Sequence, residues 1–531
     1  MLFKHSNYFK VLLVLVFFVG ACSSPPLTTT VEVTGGTIEG VEQDGIFSYK
    51  GIPFAAPPVG DLRWKAPAPM QPWTGIKKAD AFGPACMQTP NSMGNTAPVS
   101  EDCLYLNVWT PAKKPGEKIP VIFWIYGGGF SGGSTSIPMY DGTGFAKKGL
   151  VFVSVAYRVG PFGFLAHPEL SLESGEGSGD YGLEDMIAGL KWVKENIARF
   201  GGDPSKVTIF GHSAGGMAVN MLSASPVAKG LFQRAICMSG GSFAPLQTSN
   251  QAVTGLGIPT LKLAESTGEE FLKKLGAADI KAARALSAEE IQKNVGGGMG
   301  GGGLRFRPVA DGYIIPSDLY SIYQARRFND TPILVGNTSN ELGSFRGPGK
   351  ITAAQFEQQI KSQYGPHADD ILSVYPHSTD AEAAKSSKEL SRDSMFGWST
   401  WTWARLQSEK GKGKAFEYYY DYHAPDVDGS GHGSDVPYAF QTLGPGPQGA
   451  PKPEDLKISD MISSYWANFA KAGDPNGPDL PKWPAFIEND QKVMVFDATP
   501  SARPVPNLDK LKAYDAYITW LRGQVKNEGG Q

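Results

Sequence analysis

The sequence predicts an α/β fold with a mostly parallel central sheet covered by helices. Apolar residues run almost unbroken through 120–126 and 150–158, which is typical of strands buried on both faces. Between the second of these runs and the next strand, at 207–210, residues 183–199 carry apolar side chains at helical spacing. Strand and helix therefore alternate along the chain, and this alternation is the pattern of a parallel sheet between helices.

The segments around this central part complete the predicted order. Residues 30–50 alternate and contain glycines, which predicts antiparallel hairpins, and the three prolines of 51–58 predict a loop that is not an inner strand. Residues 245–303 predict short helices, at 269–275, 280–286 and 288–294. Their glycine run, Gly296–Gly303, lacks the lysine and the preceding strand of a phosphate loop, so it is interpreted as a flexible surface loop. Later elements are predicted at 331–336 (strand), 393–410 (helix), 417–422 (strand) and 460–471 (helix).

A candidate nucleophile stands where the strand at 207–210 meets a helix. Residues 211–215 read Gly-His-Ser-Ala-Gly, with β-favouring residues before them and a helix-compatible run after them. Gly-x-Ser-x-Gly alone is a weak signal, but a strand before it and a helix after it predict a strained turn that exposes the serine hydroxyl. Ser213 is therefore the candidate nucleophile.

A serine hydroxyl needs a base to accept its proton, and the base needs an acid to orient it. In sheets of this type the acid and then the histidine follow the serine along the chain. His432 lies in a glycine-rich loop that can reach over a site, whereas His367 and His377 have polar, proline-bounded surroundings, and His423 remains the rival. Glu341 is the one carboxylate in the loop after the strand at 331–336; its alternative interpretation is a solvated loop glutamate.

An oxyanion requires backbone N–H groups that point at one place, and glycines after a strand present them without obstruction. Residues 127–129 are Gly-Gly-Gly directly after the strand at 120–126. We expect Gly128 and Gly129, together with Ala214 after the serine, to form this hole. Trp124 and Tyr126 are interpreted as packing or pocket-wall residues, and substrate specificity is expected in 245–303 and in the cluster Trp398, Trp401 and Trp403.

The N-terminus predicts export. Lys4 and Lys10 precede nine apolar residues, 11–19, which are too few to span a membrane and are typical of a signal peptide. Small residues before Cys22 resemble a bacterial lipoprotein box. We therefore predict a signal peptide at 1–21, a lipidated tether at 22–30 and a single catalytic domain at 31–526. The location is then the bacterial cell envelope, and the alternative is an ordinary secretory signal with a periplasmic or secreted product.

Composition restricts the partners. The formal charge of −3 argues against a nucleic-acid partner, and after the signal region no second apolar span follows, so membrane contact is expected only through Cys22. No cluster of His, Cys or Asp has metal-ligand spacing, so neither metal nor cofactor is expected. Of the four cysteines, Cys22 is assigned to lipid and Cys237 lies in a buried-looking strand, which leaves Cys86 to pair with Cys103.

Seven motifs follow one another along the chain, at 101–108, 126–130, 157–160, 201–204 with 213–215, 340–343, 432–433 and 473–476. Through these motifs the chain resembles, from Val31 to Phe496, the type-B carboxylesterase family of α/β-hydrolases. The resemblance implies Ser213 as nucleophile, His432 as base, Glu341 as acid, and Gly128, Gly129 and Ala214 as the oxyanion hole. It also implies helical insertions over the active site, the disulfide between Cys86 and Cys103, and two residues that support the triad, Ser239 and Asp435, of which the second is usually a glutamate in the family. His212 departs from the glutamate that the family commonly has before the serine.

These observations together predict a serine esterase that cleaves small-molecule carboxylic esters through an acyl-enzyme. Alternatives within the hydrolases are an amidase, a lipase, and an enzyme specific for polymer, aryl or toxin esters, such as a feruloyl esterase. A non-catalytic binding module of the same fold is the alternative from another class. The sequence does not address the oligomeric state.

Overall fold

A computed structural model describes residues 25–90, 94–249, 257–295, 303–341, 351–445 and 449–528. Within these ranges the chain forms sixteen strands and sixteen α-helices. The strands are β1 (Thr30–Val33), β2 (Gly36–Glu39), β3 (Val41–Gln43), β4 (Ile46–Pro53), β5 (Ile76–Lys78), β6 (Ala85–Cys86), β7 (Val99–Ser100), β8 (Tyr105–Thr110), β9 (Ile119–Ile125), β10 (Val151–Val155), β11 (Gly202–His212), β12 (Arg234–Met238), β13 (Ile333–Thr338), β14 (Ala415–Tyr420), β15 (Lys492–Phe496) and β16 (Ser501–Pro504).

Most of the helices lie between strands β12 and β15. A π-helical turn at Asp393–Gly397 joins α12 to α13. The helices are α1 (Thr143–Lys147), α2 (Gly160–Phe164), α3 (Pro168–Ser174), α4 (Tyr181–Asn196), α5 (Ala214–Ala224), α6 (Leu261–Leu275), α7 (Ile280–Arg284), α8 (Ala288–Lys293), α9 (Leu319–Gln324), α10 (Ala353–Tyr364), α11 (Ala368–Val374), α12 (Asp380–Arg392), α13 (Trp398–Lys410), α14 (Val436–Phe440), α15 (Pro453–Ala472) and α16 (Leu508–Glu528).

Eleven strands form one large sheet in the order β16-β15-β14-β13-β12-β11-β9-β10-β8-β4-β3. The seven strands from β15 to β10 pair in parallel, and the strands at both ends of the order pair antiparallel. The predicted mostly parallel sheet is therefore confirmed. Since the carboxyl ends of parallel strands share one edge, the loops after β9, β11, β12, β13 and β14 all leave the sheet on the same side.

Helices cover both faces of this sheet. On one face Thr208 of β11 contacts the backbone of α15, and Phe210 stacks on Phe440 of α14. On the other face Cys237 of β12, which is fully buried as predicted, contacts the backbone of α5 at Gly216. The apolar runs in the sequence follow from this arrangement, because a strand covered on both faces has no polar side.

One sequence prediction about the sheet was wrong. Gly51–Pro53 belong to β4, which lies between β3 and β8, instead of beginning a loop. The pairing of β4 with β8 shifts register between Tyr49 and Ile52, and Gly51 has a φ of 71° at this bulge. The bulge takes up the irregular backbone, and Pro53 falls at the last paired position. The prolines that do form a loop are those that follow it.

Two helices begin earlier than predicted. Helix α6 begins at Leu261 instead of residue 269, because the Thr260 side chain accepts a hydrogen bond from the Leu263 N–H and caps the helix. Helix α15 begins at Pro453 instead of residue 460. Proline is favoured in the first turn, where its missing N–H costs no hydrogen bond. In α15 the polar residues of the first turn hide the helical period from a search for apolar spacing.

The predicted tether is shorter than 22–30. Leu27 is buried and donates its N–H to the Lys113 carbonyl, and β1 begins at Thr30. Residues 27–30 therefore belong to the packed fold, although the sequence placed them in the tether. Cys22 and the glycine run 296–302 lie outside the described residues. Within the described ranges, no helix is long and apolar enough to cross a membrane.

The disulfide between Cys86 and Cys103 is present, with a Cα–Cα distance of 4.9 Å. It closes the segment between β6 and the start of β8, with a sequence separation of 17 residues. For a loop of this length, restriction of the unfolded chain stabilises the fold by about 3 kcal/mol. The pairing predicted from the sequence is confirmed.

Strand β14 carries a buried carboxyl group outside the site. Glu417 is 4% exposed, and its Oε2 has no hydrogen-bond partner within the part of the chain that the structure describes. Burial raises the pKa of this side chain to about 8. Glu417 therefore keeps its proton in the folded state at neutral pH and loses it on unfolding.

We predict that Glu417 makes the protein less stable as pH rises. Between about pH 4.5 and pH 8 the folded state binds a proton that the unfolded state releases, so the free energy of unfolding decreases across this window. In Glu417→Gln this contribution is absent, and the difference in Tm from the wild type should grow with pH until about pH 8. Calorimetry from pH 5 to pH 9 measures it. The exposed Glu269→Gln is the control; equal pH profiles for wild type and Glu417→Gln would contradict the prediction.

Candidate active site

Ser213 sits in a strained turn between β11 and α5. Its φ of 56° and ψ of −123° are unfavourable for a residue with a side chain. The Ser213 N–H donates to the Met238 carbonyl, which fixes the turn to β12. A Cβ on Gly215 would lie 2.0 Å from the Ile125 oxygen, and one on Gly211 would lie 2.3 Å from the Gly215 oxygen. Only glycine fits at either position, which explains the spacing seen in the sequence.

The glycine-rich loop after β9 lies beside this serine. A Cβ built on Gly127 would be 3.0 Å from the Ser213 Cβ. Gly128 and Gly129 have φ values of 130° and 60°, which place their peptide groups in orientations that other residues rarely adopt. Ala214 is the first residue of α5, so its N–H belongs to the first turn, which has no acceptor within the helix. Glycine backbone and a positive helix end therefore surround the serine.

Glu341 is a fully buried carboxylate just after β13. Its Oε1 accepts hydrogen bonds from the Ser239 hydroxyl at 2.6 Å and from the Thr338 N–H at 2.7 Å. Its Oε2 accepts a hydrogen bond from Nδ1 of His432. Three donors from three segments thus orient this carboxylate, and the alternative of a solvated loop glutamate is excluded by its burial.

His432 lies between β14 and α14 with Nδ1 engaged by Glu341. With a proton on Nδ1, Nε2 is the nitrogen that can accept another. The ring stacks on Phe396, with centroids 4.9 Å apart and an angle of 7°, and lies 4.5 Å from the ring of His212. His432 is therefore adjacent to the residue that precedes Ser213. Its rival His423 contacts the Ala424 carbonyl and Asp421 instead.

Two hydrogen bonds join the loop of Glu341 to the loop of His432. The Asn340 N–H donates to the Ser430 carbonyl at 2.9 Å, and the Ser430 N–H donates to the Ser339 hydroxyl oxygen at 2.8 Å. At its other end the His432 loop runs into α14, where Phe440 packs against Trp124 of β9 at 4.8 Å. The loop is thus attached to the acid on one side and to the sheet on the other.

Ser239 supports the carboxylate of Glu341, and Asp435 is held by a tyrosine of β14. Ser239 bonds Glu341, whereas Oδ2 of Asp435 accepts the Tyr418 hydroxyl at 2.7 Å, and no hydrogen bond joins the two residues. Burial, together with the charge of Glu341, raises the pKa of Asp435 to about 7, although the Tyr418 hydroxyl acts in the opposite direction. Tyr418 of β14 thus bonds one oxygen of this carboxyl group, and the other, Oδ1, is buried without a hydrogen-bond partner among the described residues.

The tryptophan cluster in α13 is not at the site. Trp398 and Trp401 are buried and donate their ring N–H groups to Asp515 and Gln491, and Trp403 is fully buried near Phe243. These residues are core, so the expectation that they set specificity was wrong. Trp124 and Tyr126 are fully buried packing residues. Sequence reasoning missed Phe396 and the ring contact of His212, because both contacts join segments that are far apart in the chain.

The side chains of the described residues do not form a metal site. No group of three or more His, Cys, Asp or Glu among the described ranges is arranged to bind a metal ion. The convergent groups at the carboxyl edge of the sheet are instead a hydroxyl on a strained turn, an imidazole and a buried carboxylate. This set can perform nucleophilic catalysis with a general base.

Comparison with known proteins gives the same class of chemistry. The family model described as "Carboxylesterase family" matches residues 27–514. Fumonisin B1 esterase of Sphingopyxis macrogoltabida is 36% identical, with 90% of this chain and 89% of that protein covered. Para-nitrobenzyl esterase of Bacillus subtilis is 33% identical, with 90% of this chain and 96% of that protein covered.

Solved structures extend the comparison to the fold. The Geobacillus stearothermophilus carboxylesterase EST55 superposes with a TM-score of 0.78 at 33% identity, covering 92% of this chain and all of that one. A likeness that spans both chains at this identity concerns the whole architecture and not one motif. This chain belongs to the carboxylesterase family, has the α/β-hydrolase fold and is a carboxylic ester hydrolase.

Proposed function

We propose that Ser213, His432 and Glu341 form the catalytic triad of this esterase. The observation that carries the proposal is the buried carboxylate of Glu341, which bonds His432 Nδ1 while the same imidazole lies beside the Ser213 turn. Glu341 orients the ring and stabilises the imidazolium that forms during the reaction. Ser239 and the Thr338 N–H keep the carboxylate in place.

The reaction follows from these positions. The Ser213 oxygen attacks the ester carbonyl carbon while its proton moves to Nε2 of His432. The negative oxygen of the tetrahedral intermediate is stabilised by the N–H groups of Gly128, Gly129 and Ala214. The C–O bond to the alcohol breaks, and His432 returns the proton to the leaving oxygen. Water then attacks the acyl-enzyme with His432 as base, which releases the acid and regenerates Ser213.

For the substrate, we propose carboxylic esters in general, with a toxin ester as the second candidate. The second candidate is supported by 36% identity to fumonisin B1 esterase across 90% of this chain. The helices α6, α7 and α8 between β12 and β13 are the segment that we propose to adapt the site to its ester. Feruloyl and other aryl esters, polymer esters and lipids are the remaining outcomes of the test.

We also propose that the enzyme is exported and anchored through lipid on Cys22. The apolar run 11–19 and the small residues before Cys22 support a lipoprotein signal. Packing from Leu27 onward leaves residues 23–26 between the lipid and the fold, which would place the catalytic domain close to the membrane. The alternative remains a periplasmic or secreted enzyme, and we propose that residues 31–526 act as one catalytic domain.

We predict that Ser213→Ala lowers kcat for a nitrophenyl ester by about 10³-fold or more, because no other group replaces the nucleophile. A fluorophosphonate probe should label Ser213 in the wild type, which mass spectrometry of the adduct identifies. Ser205→Ala, at the exposed start of the same strand, is the matched control and should keep full activity. A folded Ser213→Ala enzyme with wild-type turnover would refute the triad.

A substrate panel separates the two candidate ester classes. We expect kcat/KM for short-chain nitrophenyl esters to exceed that for triacylglycerols, since the proposed function is a general carboxylesterase. Fumonisin B1, a feruloyl ester and esters of increasing acyl length are compared at equal enzyme concentration. If kcat/KM for fumonisin B1 is highest, the second candidate is correct and the general one is wrong.

We predict that Cys22→Ser moves the enzyme from the membrane fraction to the soluble fraction or blocks its maturation. Each buried methylene of an acyl chain contributes about 0.8 kcal/mol, so several long chains anchor a protein almost permanently. Activity in the two fractions after centrifugation is the measurement, and Ser24→Ala is the control. A wild-type enzyme that is already soluble would contradict lipidation and leave the secretory alternative.

A further inference from the structure

The imidazole of His432 contacts two aromatic rings that the triad chemistry does not use. Phe396 stacks on it almost in parallel, at 4.9 Å and 7°, and His212 lies at 4.5 Å with a tilt of 39°. Phe396 comes from the π-helical turn between α12 and α13, and His212 is the last residue of β11. Two elements far apart in the sequence therefore converge on the ring that we propose as the catalytic base.

The turn that presents Phe396 is rigidly attached to the site. Arg392 and the buried Asp393 form an ion pair, and Tyr375 donates its hydroxyl to Asp393 at 2.8 Å. Arg392 also donates to the Ser339 carbonyl, in the loop that carries Glu341. Phe396 itself is 4% exposed. A π-helical turn is uncommon and often marks a functional site, and here it aims one ring at His432.

His212 is an uncharged ring at the same place. Burial, with a contribution from His432, holds its pKa well below the usual value of 6.5, so it stays neutral at physiological pH. Its Nε2 is buried and has no hydrogen-bond partner among the described residues. A Cβ on Gly433 would lie 3.0 Å from its Cε1, so the ring also packs against the backbone after His432. No hydrogen bond of Nε2 among the described residues accounts for a histidine at this position. The contact of its flat ring with His432 does.

We propose that Phe396 and His212 are positioning residues that fix the plane of the His432 imidazole. The proposal rests on the proposed function of His432 as the base. The loop residues on either side of His432 are glycines, which do not restrain it, and the bond from Nδ1 to Glu341 permits rotation of the ring about that bond. Ring contacts restrict this rotation, and catalysis is sensitive to displacements of about 1 Å.

The charge pattern around the ring agrees with this role. The titratable groups that face His432 are Glu341, His212 and, from the start of α14, Asp435. Phe396 contributes a π face, which attracts the imidazolium formed in each cycle. Neutral His212 adds no like charge, whereas a protonated ring there would oppose that imidazolium. Both positioning rings thus restrict the base without competing with Glu341.

The test compares variants that remove a flat ring with variants that keep one. In Phe396→Leu and His212→Leu we expect kcat to fall about 10-fold or more with KM within about 2-fold, because the base is misaligned and substrate binding is not. The rate of fluorophosphonate labelling should fall by the same factor as kcat. Phe396→Tyr and His212→Phe keep a ring and should recover most of the lost turnover.

Two further measurements separate positioning from a purely structural role. The proton shared by His432 Nδ1 and Glu341 should give a downfield NMR signal in the wild type that shifts or broadens in the leucine variants and returns in the ring-keeping ones. Phe356→Leu is the matched control. Phe356 is a buried residue of α10, and its ring centroid lies 5.9 Å from that of a different histidine, His377. The substitution should lower Tm while kcat and the signal stay unchanged.

Clear outcomes overturn the proposal. Folded Phe396→Leu and His212→Leu enzymes with kcat within about 2-fold of the wild type would refute it. A His212→Phe or Phe396→Tyr enzyme that folds but loses as much turnover as the leucine variant would also refute it. If the leucine variants do not fold, the turnover of the two ring-keeping variants decides the test. Failure of the triad assignment is distinguishable, because it would appear as wild-type protein whose Ser213 is not labelled.

Discussion

The hydrogen-bonded carboxylate of Glu341 is the interaction on which the site depends. A buried carboxylate is costly unless donors surround it, and here they come from the Thr338 N–H, the Ser239 hydroxyl and the His432 ring. These donors lie after or at the ends of three different strands. They can meet because parallel strands end at the same edge of the sheet, so the fold itself brings acid and imidazole together.

The second constraint is the strain at Ser213. A non-glycine residue in such a conformation costs about 1–3 kcal/mol and persists only where its surroundings fix it. The fixing contacts are a hydrogen bond to β12 and the close approach of Gly215 to the backbone of β9. In addition, Phe440 packs α14, which follows the His432 loop, against strands β9 and β11. The core therefore stabilises the elbow and the His432 loop at once.

The local sequence was sufficient to predict those features that depend on residues close together in the chain. Buried parallel strands read as apolar runs, and the glycines around Ser213 mark a turn that no other residue allows, so the sheet and the elbow could be predicted. Local patterns failed where a neighbour decided the outcome. The bulge at Gly51 needs its partner β8, and the tryptophans of α13 look like a binding surface until the C-terminal segments cover them.

The sequence by itself determined the fold class, the strand–turn–helix at Ser213, the disulfide partners and the loops that carry Glu341 and His432. Only the tertiary structure decided that Ser239 bonds Glu341 while Asp435 bonds Tyr418, and that Phe396 and His212 contact the His432 ring. The physical reason is the separation along the chain over which each interaction acts. Strand burial and turn strain act over a few residues, whereas the partner of a buried polar group or ring depends on which distant segments the sheet brings to its edge.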